Sequence, residues 1–216
     1  MKWIAVALLG LTAAAYGQSP GPSAGVSLGT TFDSLSYQVD GTLSPSPQKQ
    51  EATLNMSFVT VGGFVDFTYV EASLGLLVQL GTQSTKIVDS SSGTSDQDLD
   101  TRFVNLDARL LGKYPLRFLH SLWFFPLVGL EYSHNLSRQN KQDFLRSDEL
   151  NDLFLDAGAG IDFPVNGSTY VRAEGIYGLN LTPSSQDVKD MASSGGGFYG
   201  DYGSRLNFSI GLGSRF

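Results

Sequence analysis

The chain reads as an all-β protein, an eight-stranded antiparallel up-and-down transmembrane β-barrel. Three observations lead there. The last segment, Tyr202 to Phe216, alternates apolar residues (Leu206, Phe208, Ile210, Leu212) with polar or small ones (Arg205, Asn207, Ser209, Gly211, Gly213, Arg215). A two-residue period sustained over ten or more residues is that of a long strand. Segments of the same kind recur upstream, separated by connections that are long and short in turn. Their charged residues keep to one parity, opposite to the Leu, Val, Ile and Phe positions.

The amino terminus is set apart. Lys2 precedes an apolar run from Trp3 to Ala15 and then Ala15-Tyr16-Gly17, with small residues where signal peptidase inspects. This is the pattern of a cleavable secretory signal, residues 1–17, cut before Gln18, leaving 18–216 as the barrel domain. The run falls short of the roughly 20 residues of a spanning helix. No cysteine is present, which excludes a lipid-anchored cysteine, a disulfide scaffold and thiolate metal sites. A formal net charge of -7 speaks against nucleic acid, which calls for basic patches. Near-neutral mean hydropathy suits a wall whose outward apolar residues alternate with polar inward ones.

The first strand places Val26, Leu28, Thr30 and Phe32 outward. The second runs from about Leu54 to Val65, with Leu54, Met56 and Phe58 on one face, a parity obscured between Val59 and Gly63, and an expected bulge at Gly62-Gly63. In the third, Val70 to Leu80 face out in alternation while Glu71, Ser73, Gly75, Leu77 and Gln79 face in. The fourth sets Val104, Leu106, Ala108 and Leu110 against Asn105, Asp107, Arg109 and Lys113. The fifth, Leu122 to Ser133, carries Glu131 inward and contains Pro126, which removes a ladder donor. Leu153 to Phe163 form the sixth, with Phe154, Asp156 and Asp162 inward, and Val171 to Leu181 the seventh, with Arg172, Glu174 and Ile176 inward.

Long connections are expected at Ser36–Thr53, Gln83–Thr101, Asn135–Asn151 and Thr182–Tyr202, and short ones at Asp66–Thr68, Tyr114–His120 and Pro164–Ser168. Short periplasmic turns and long outer loops mark barrels of bacterial outer membranes. An even strand number then puts both termini in the periplasm. A soluble barrel such as a lipocalin also has eight alternating strands, but its apolar face turns inward; here the charges do. Aromatics near the strand ends (Tyr114, Phe118, Phe124, Phe163 and Phe216 at one end, Phe32, Tyr132 and Tyr177 at the other) fit two interfacial girdles.

On these residues the mature chain resembles the small eight-stranded outer-membrane barrels of the OmpA, OmpX and OmpW type. The terminal strand ending in Phe208, Ile210, Leu212 and Phe216 is similar to the signal read by the outer-membrane assembly machinery, with Ser214 where a more apolar residue is usual. The resemblance implies a monomer among outer-membrane lipids and lipopolysaccharide.

The inward charges form the candidate site: Glu71, Asp107, Glu131, Asp156, Asp162 and Glu174 with Arg109, Lys113, Arg172, Arg205 and Arg215. An eight-stranded barrel is just wide enough for side chains to fill it, so these charges must pair. Height along the strands sorts Glu71, Lys113, Asp162, Arg172 and Arg215 toward the short-turn end, and Asp33, Glu131 and Arg205 toward the other. Two clusters and a closed interior follow. Inward Leu77, Phe154 and Ile176 form a candidate apolar pocket, since OmpW-like proteins are thought to pass or bind small hydrophobic molecules; core filling is the competing role.

No cofactor or metal is expected. The acidic stretch Asp96-Gln-Asp98-Leu-Asp100 lacks the glycine and distal glutamate of a calcium loop. The outer loops, rich in Ser, Gly, Asp and Gln, read as solvated and mobile, the place where an extracellular ligand would be met. Catalysis is not expected: of the two histidines, His120 falls in a short turn, and His134 points by parity to lipid while Ser133 and Glu131 point in. The readings in order are therefore a structural or surface-interaction barrel, a narrow channel or pocket for small hydrophobic solutes, and a lipid-modifying enzyme.

Overall fold

The computed structural model describes residues 20–41, 48–81, 83–89, 93–99, 102–118, 122–139, 151–182 and 198–216. The expected signal segment, His120 and the expected site of signal cleavage lie outside them. In chain order the strands are β1 (Ser23–Gly41), β2 (Gln48–Phe67), β3 (Val70–Gln79), β4 (Gln83–Asp89), β5 (Gly93–Leu99), β6 (Arg102–Lys113), β7 (Leu116–Phe118), β8 (Leu122–Gln139), β9 (Asp152–Pro164), β10 (Thr169–Asn180) and β11 (Phe198–Arg215).

These segments make eight walls. Both β3 and β4 pair with β2, so they are one wall strand broken where Gly81 turns to a φ of 76°, a value that glycine adopts without steric cost. Likewise β5 pairs with β4 while β6 pairs with β3, and β7 continues against β8 where β6 stops. Every neighbour is antiparallel. Because β1 pairs with β2 on one side and with β11 on the other, the sheet closes on itself, while among the described residues β5 and β7 each pair with a single neighbour.

Three expectations need correction. The register of β2 against both β1 and β3 is continuous through Gly62-Gly63, so there is no bulge there. The parity was obscured for another reason: Phe58 and Phe64 point inward, 1% and 5% exposed, and interrupt the apolar-out pattern. The first turn is displaced too, since Phe67 pairs with Val70 and leaves Thr68-Tyr69 as a two-residue hairpin loop. Thr68 sits at φ 61°, unusual for a β-branched residue, and its hydroxyl donates to the Pro20 carbonyl at 2.9 Å. Third, the expected long connections are partly strand: Ser36–Gly41 pairs with Gln48–Thr53, β8 continues past Asn135 to Gln139, β11 begins at Phe198, and much of the segment 83–101 pairs as the β4–β5 hairpin, whose partner is the first half of β2. Periodicity does not reveal it because backbone ladder bonds, indifferent to side-chain polarity, hold it.

Pro126 does not break β8. Its carbonyl accepts from the Tyr114 amide at 3.3 Å, so its nitrogen faces the same side, the gap between β6 and β7 where no ladder donor is required. The outer surface is apolar: Leu28 and Ile210 are 60% and 65% exposed, and Tyr114, Phe124, Phe163, Phe32, Tyr132 and Tyr177 are exposed near the strand ends. At 18 to 20 residues, β1, β2, β8 and β11 run to about twice the 9–11 that a tilted strand needs to cross hydrocarbon. The excess lies at the end opposite the short turns.

Candidate functional site

Charged, neutral polar and apolar side chains together fill the barrel interior. Near the short turns Arg172 of β10 reaches across the lumen. Its Nη2 donates to Asp66 Oδ2 on β2 at 2.7 Å, its Nε to Asp162 Oδ1 on β9 at 2.7 Å, and its Nη1 to Glu71 on β3. Lys113 of β6 shares Asp66, and Arg215 Nη2 stands 3.4 Å from Asp162 Oδ2. The guanidinium lies 4.7 Å from the ring centres of both Phe64 and Phe125, and Lys113 Nζ is 4.6 Å from Phe125. Aromatic faces thus attract the cations that the interior strips of water. Below this layer Tyr170 and Ser23 share a buried hydrogen bond of 2.7 Å.

A second network lies higher. Arg205 of β11 grips Asp33 of β1 with two parallel bonds of 2.7 Å, the fork geometry that suits guanidinium to carboxylate. Its Nη1 donates across the lumen to Asp107 Oδ2 on β6 at 2.8 Å and to Glu131 on β8. Arg109 donates from Nε to Glu131 Oε2 at 2.6 Å and stands 3.2 Å from Asp156 Oδ2. The Ser133 hydroxyl donates to Asp107 Oδ1 at 2.6 Å, and the Arg205 guanidinium lies 4.3 Å from the ring centre of Phe154.

All eleven charges named from the sequence face the interior and take part in these two networks. Asp107, Arg109 and Asp156 join the upper one, and Glu174, 3.7 Å from Arg172, the lower. Asp66 is the member that sequence reasoning missed. The sequence pattern puts it in the short Asp66–Thr68 connection, whereas the inward parity of Thr60 and Gly62, carried forward through Phe64, reaches it. Across both networks eight carboxylates meet five bases.

Between the networks the filling is divided. Leu111, Phe125, Leu127 and Ile176 pack together on one side. On the other lies a polar cavity of about 30 Å³, which none of Leu77, Phe154 and Ile176 lines. Those three are buried, Phe154 beneath Arg205 and Ile176 in the apolar packing, and do not enclose a common pocket with this space. His134 is exposed on the outer surface and stacks on Tyr132, ring centres 6.4 Å apart; Glu131 is held by two arginines, so no triad forms.

A closed antiparallel wall, apolar outside and ion-paired within, defines an integral membrane β-barrel. The chain belongs to the outer membrane protein beta-barrel domain family, whose model matches residues 3–216. Among solved structures it is similar to the outer membrane protein OprG from Pseudomonas aeruginosa, at 14% identity over 93% of this chain and 98% of that one, with a TM-score of 0.48. It is also similar to the outer membrane protease OmpT from Escherichia coli, at 10% identity over 92% and 98%, TM-score 0.49. A third is Ail, the attachment invasion locus protein of Yersinia pestis, solved with the heparin analogue sucrose octasulfate, at 12% identity over 91% and 99%, TM-score 0.40. Likeness of this degree carries no argument about activity. No curated protein matches the chain.

Proposed function

We propose that this outer-membrane barrel is closed and non-catalytic, a monomer whose work is structural or is done by the connections at its outer end. One observation carries the reading: Arg172 and Arg205 each bridge opposite walls of the lumen, at two heights. The short turns and both termini then face the periplasm, the β4–β5 hairpin and the extended strands stand outside, and any extracellular ligand is met there. The wall contacts outer-membrane lipid and lipopolysaccharide. Phe208, Ile210, Leu212 and Phe216 serve insertion by the assembly machinery.

Single-channel recording in planar bilayers tests the proposal, with wild type beside a variant lacking both Arg205 and Glu131. A silent wild type is expected, with openings only in the variant. Stable openings in wild type would replace the closed barrel with the channel for small solutes.

A further inference from the structure

The cavity between the two networks is bounded by charge on both sides. Glu71 and Glu174 of the lower network line it from one side, Asp107 and Arg109 of the upper network from the other. Its volume of about 30 Å³ compares with the roughly 10–15 Å³ that a single water requires, so it takes about two bodies of that size. Two of its lining residues present buried oxygens that no donor reaches, Glu174 Oε1 and Asn207 Oδ1. Glu174 has a side chain 8% exposed; its Oε2 accepts from Ser209 Oγ at 3.4 Å, and its nearest base, Arg172, stands with Nη1 3.7 Å from Oε1, an ion pair too long for a hydrogen bond. Asn207, 3% exposed, spends its amide donor on Thr31 Oγ1 at 2.7 Å. Leaving such acceptors dry and unpaired is costly, more so for a charged one.

Charge points the same way. The networks hold three more carboxylates than bases, and Arg109, the base in the cavity lining, is committed to Glu131 and Asp156. Arginines already occupy Glu71 and Asp107. What remains for a guest is one carboxylate oxygen, one amide oxygen and the hydroxyls of Ser27 and Ser73, since Thr60 is bonded to Thr31 at 2.9 Å and Ser209 to Glu174. Among the described residues no three His, Cys, Asp or Glu side chains converge as a chelating set. An all-oxygen site of single net charge suits a hard monovalent cation better than a divalent one, which draws on several carboxylates.

We propose that this cavity binds one monovalent metal cation between Glu174 Oε1 and Asn207 Oδ1, and that the barrel folds around it. The test refolds the protein in rubidium chloride or in choline chloride at equal ionic strength, followed by anomalous diffraction from crystals of each. A rubidium peak within coordination distance of both oxygens is expected in wild type, with none in Glu174→Gln or Asn207→Ser. Water alone at that position, or a peak elsewhere, overturns the proposal. A cation at ten times its dissociation constant raises the folded-to-unfolded ratio about elevenfold. Wild type should therefore gain stability in rubidium over choline by a factor of that order, and Glu174→Gln should not. Equal gains in the two proteins would also overturn it.

Discussion

Replacing Arg205 with alanine puts the closed interior to its most direct test. The guanidinium is 2% exposed and supplies the base for three carboxylates. Their fates differ once it is gone. Glu131 keeps Arg109, and Asp107 keeps the Ser133 hydroxyl, but among the described residues Asp33 has no second base. Removing one partner of a buried pair costs about 3–5 kcal/mol because the other charge is left uncompensated. Losing the stack on Phe154 adds about 1–2 kcal/mol in so desolvated a place. The sum is about 4–7 kcal/mol, and with a urea slope of about 2 kcal/mol/M the midpoint falls by about 2–3.5 M. Protein refolded in phosphatidylcholine vesicles is titrated with urea and followed by heat-modifiable gel migration and by Trp123 fluorescence. Arg205→Lys keeps the charge but loses the fork, and should fall between wild type and alanine. In the double variant Asp33→Asn/Arg205→Met the Asp33 charge is removed and Glu131 keeps Arg109, while Asp107 is left with the Ser133 hydroxyl alone, so part of the loss should return. An unchanged midpoint for Arg205→Ala would refute the account of the upper network.

Three further substitutions probe other parts of the barrel. Ile210→Arg puts a cation on the outer face; a lipid-facing site costs about 2–4 kcal/mol near the midplane, whereas an unaltered vesicle midpoint would mean that this face does not meet lipid. A side chain at position 160 would drive into the Phe125 ring; Gly160→Val should cost about 1–3 kcal/mol by overpacking, and Phe125→Leu in the same chain should return part of it. Failure of that second change to help would place the strain elsewhere. Tyr170→Phe deletes the bond to Ser23 and leaves a buried hydroxyl unpaired, an expected loss of about 1–2 kcal/mol in the same titration; no loss would mean that water reaches the lower end of the lumen.

The wall was legible because its signal is redundant. In β3, β6, β8, β9, β10 and β11 the outward Leu and Val residues keep one parity, and the buried Glu71, Asp107, Glu131, Asp156, Arg172 and Arg205 keep the other. In β2 the same rule failed locally, because a narrow lumen also wants large apolar fillers. Phe64 lies against Gly25 and Gly211, as Phe125 does against Gly160 and Tyr170 against Gly213. Ring and glycine occupy facing inward positions on different strands, and a one-dimensional reading cannot see that match. It sees instead an apolar residue of the wrong parity. Asp66 was lost for that reason, and with it the partner shared by Lys113 and Arg172. The charges themselves could be sorted by height, but which base takes which acid depends on distances across the lumen, and those follow from strand stagger. The cavity was beyond reach for the same cause, as it is a remainder left by packing.

Burying so many charges is not an obvious route to stability, since well-packed apolar groups often do as well. Their position in the wall suggests what they contribute instead. A one-residue slip in strand pairing would move every side chain of the slipped strand to the other face. For β10 that slip would carry Arg172 and Glu174 into lipid and bring Val171, Ala173 and Tyr177 into the lumen. Arginine alone would cost about 2–4 kcal/mol near the midplane, Glu71 would lose its base, and Asp66 and Asp162 would keep only Lys113 and Arg215. A slip of β11 would do the same to Arg205 and to Asp33, Asp107 and Glu131. Leucine or valine in those inward places would pack well yet be equally content outside. Each arginine therefore rejects the wrong register of its own strand, and by reaching the opposite wall it also sets the height at which distant strands meet.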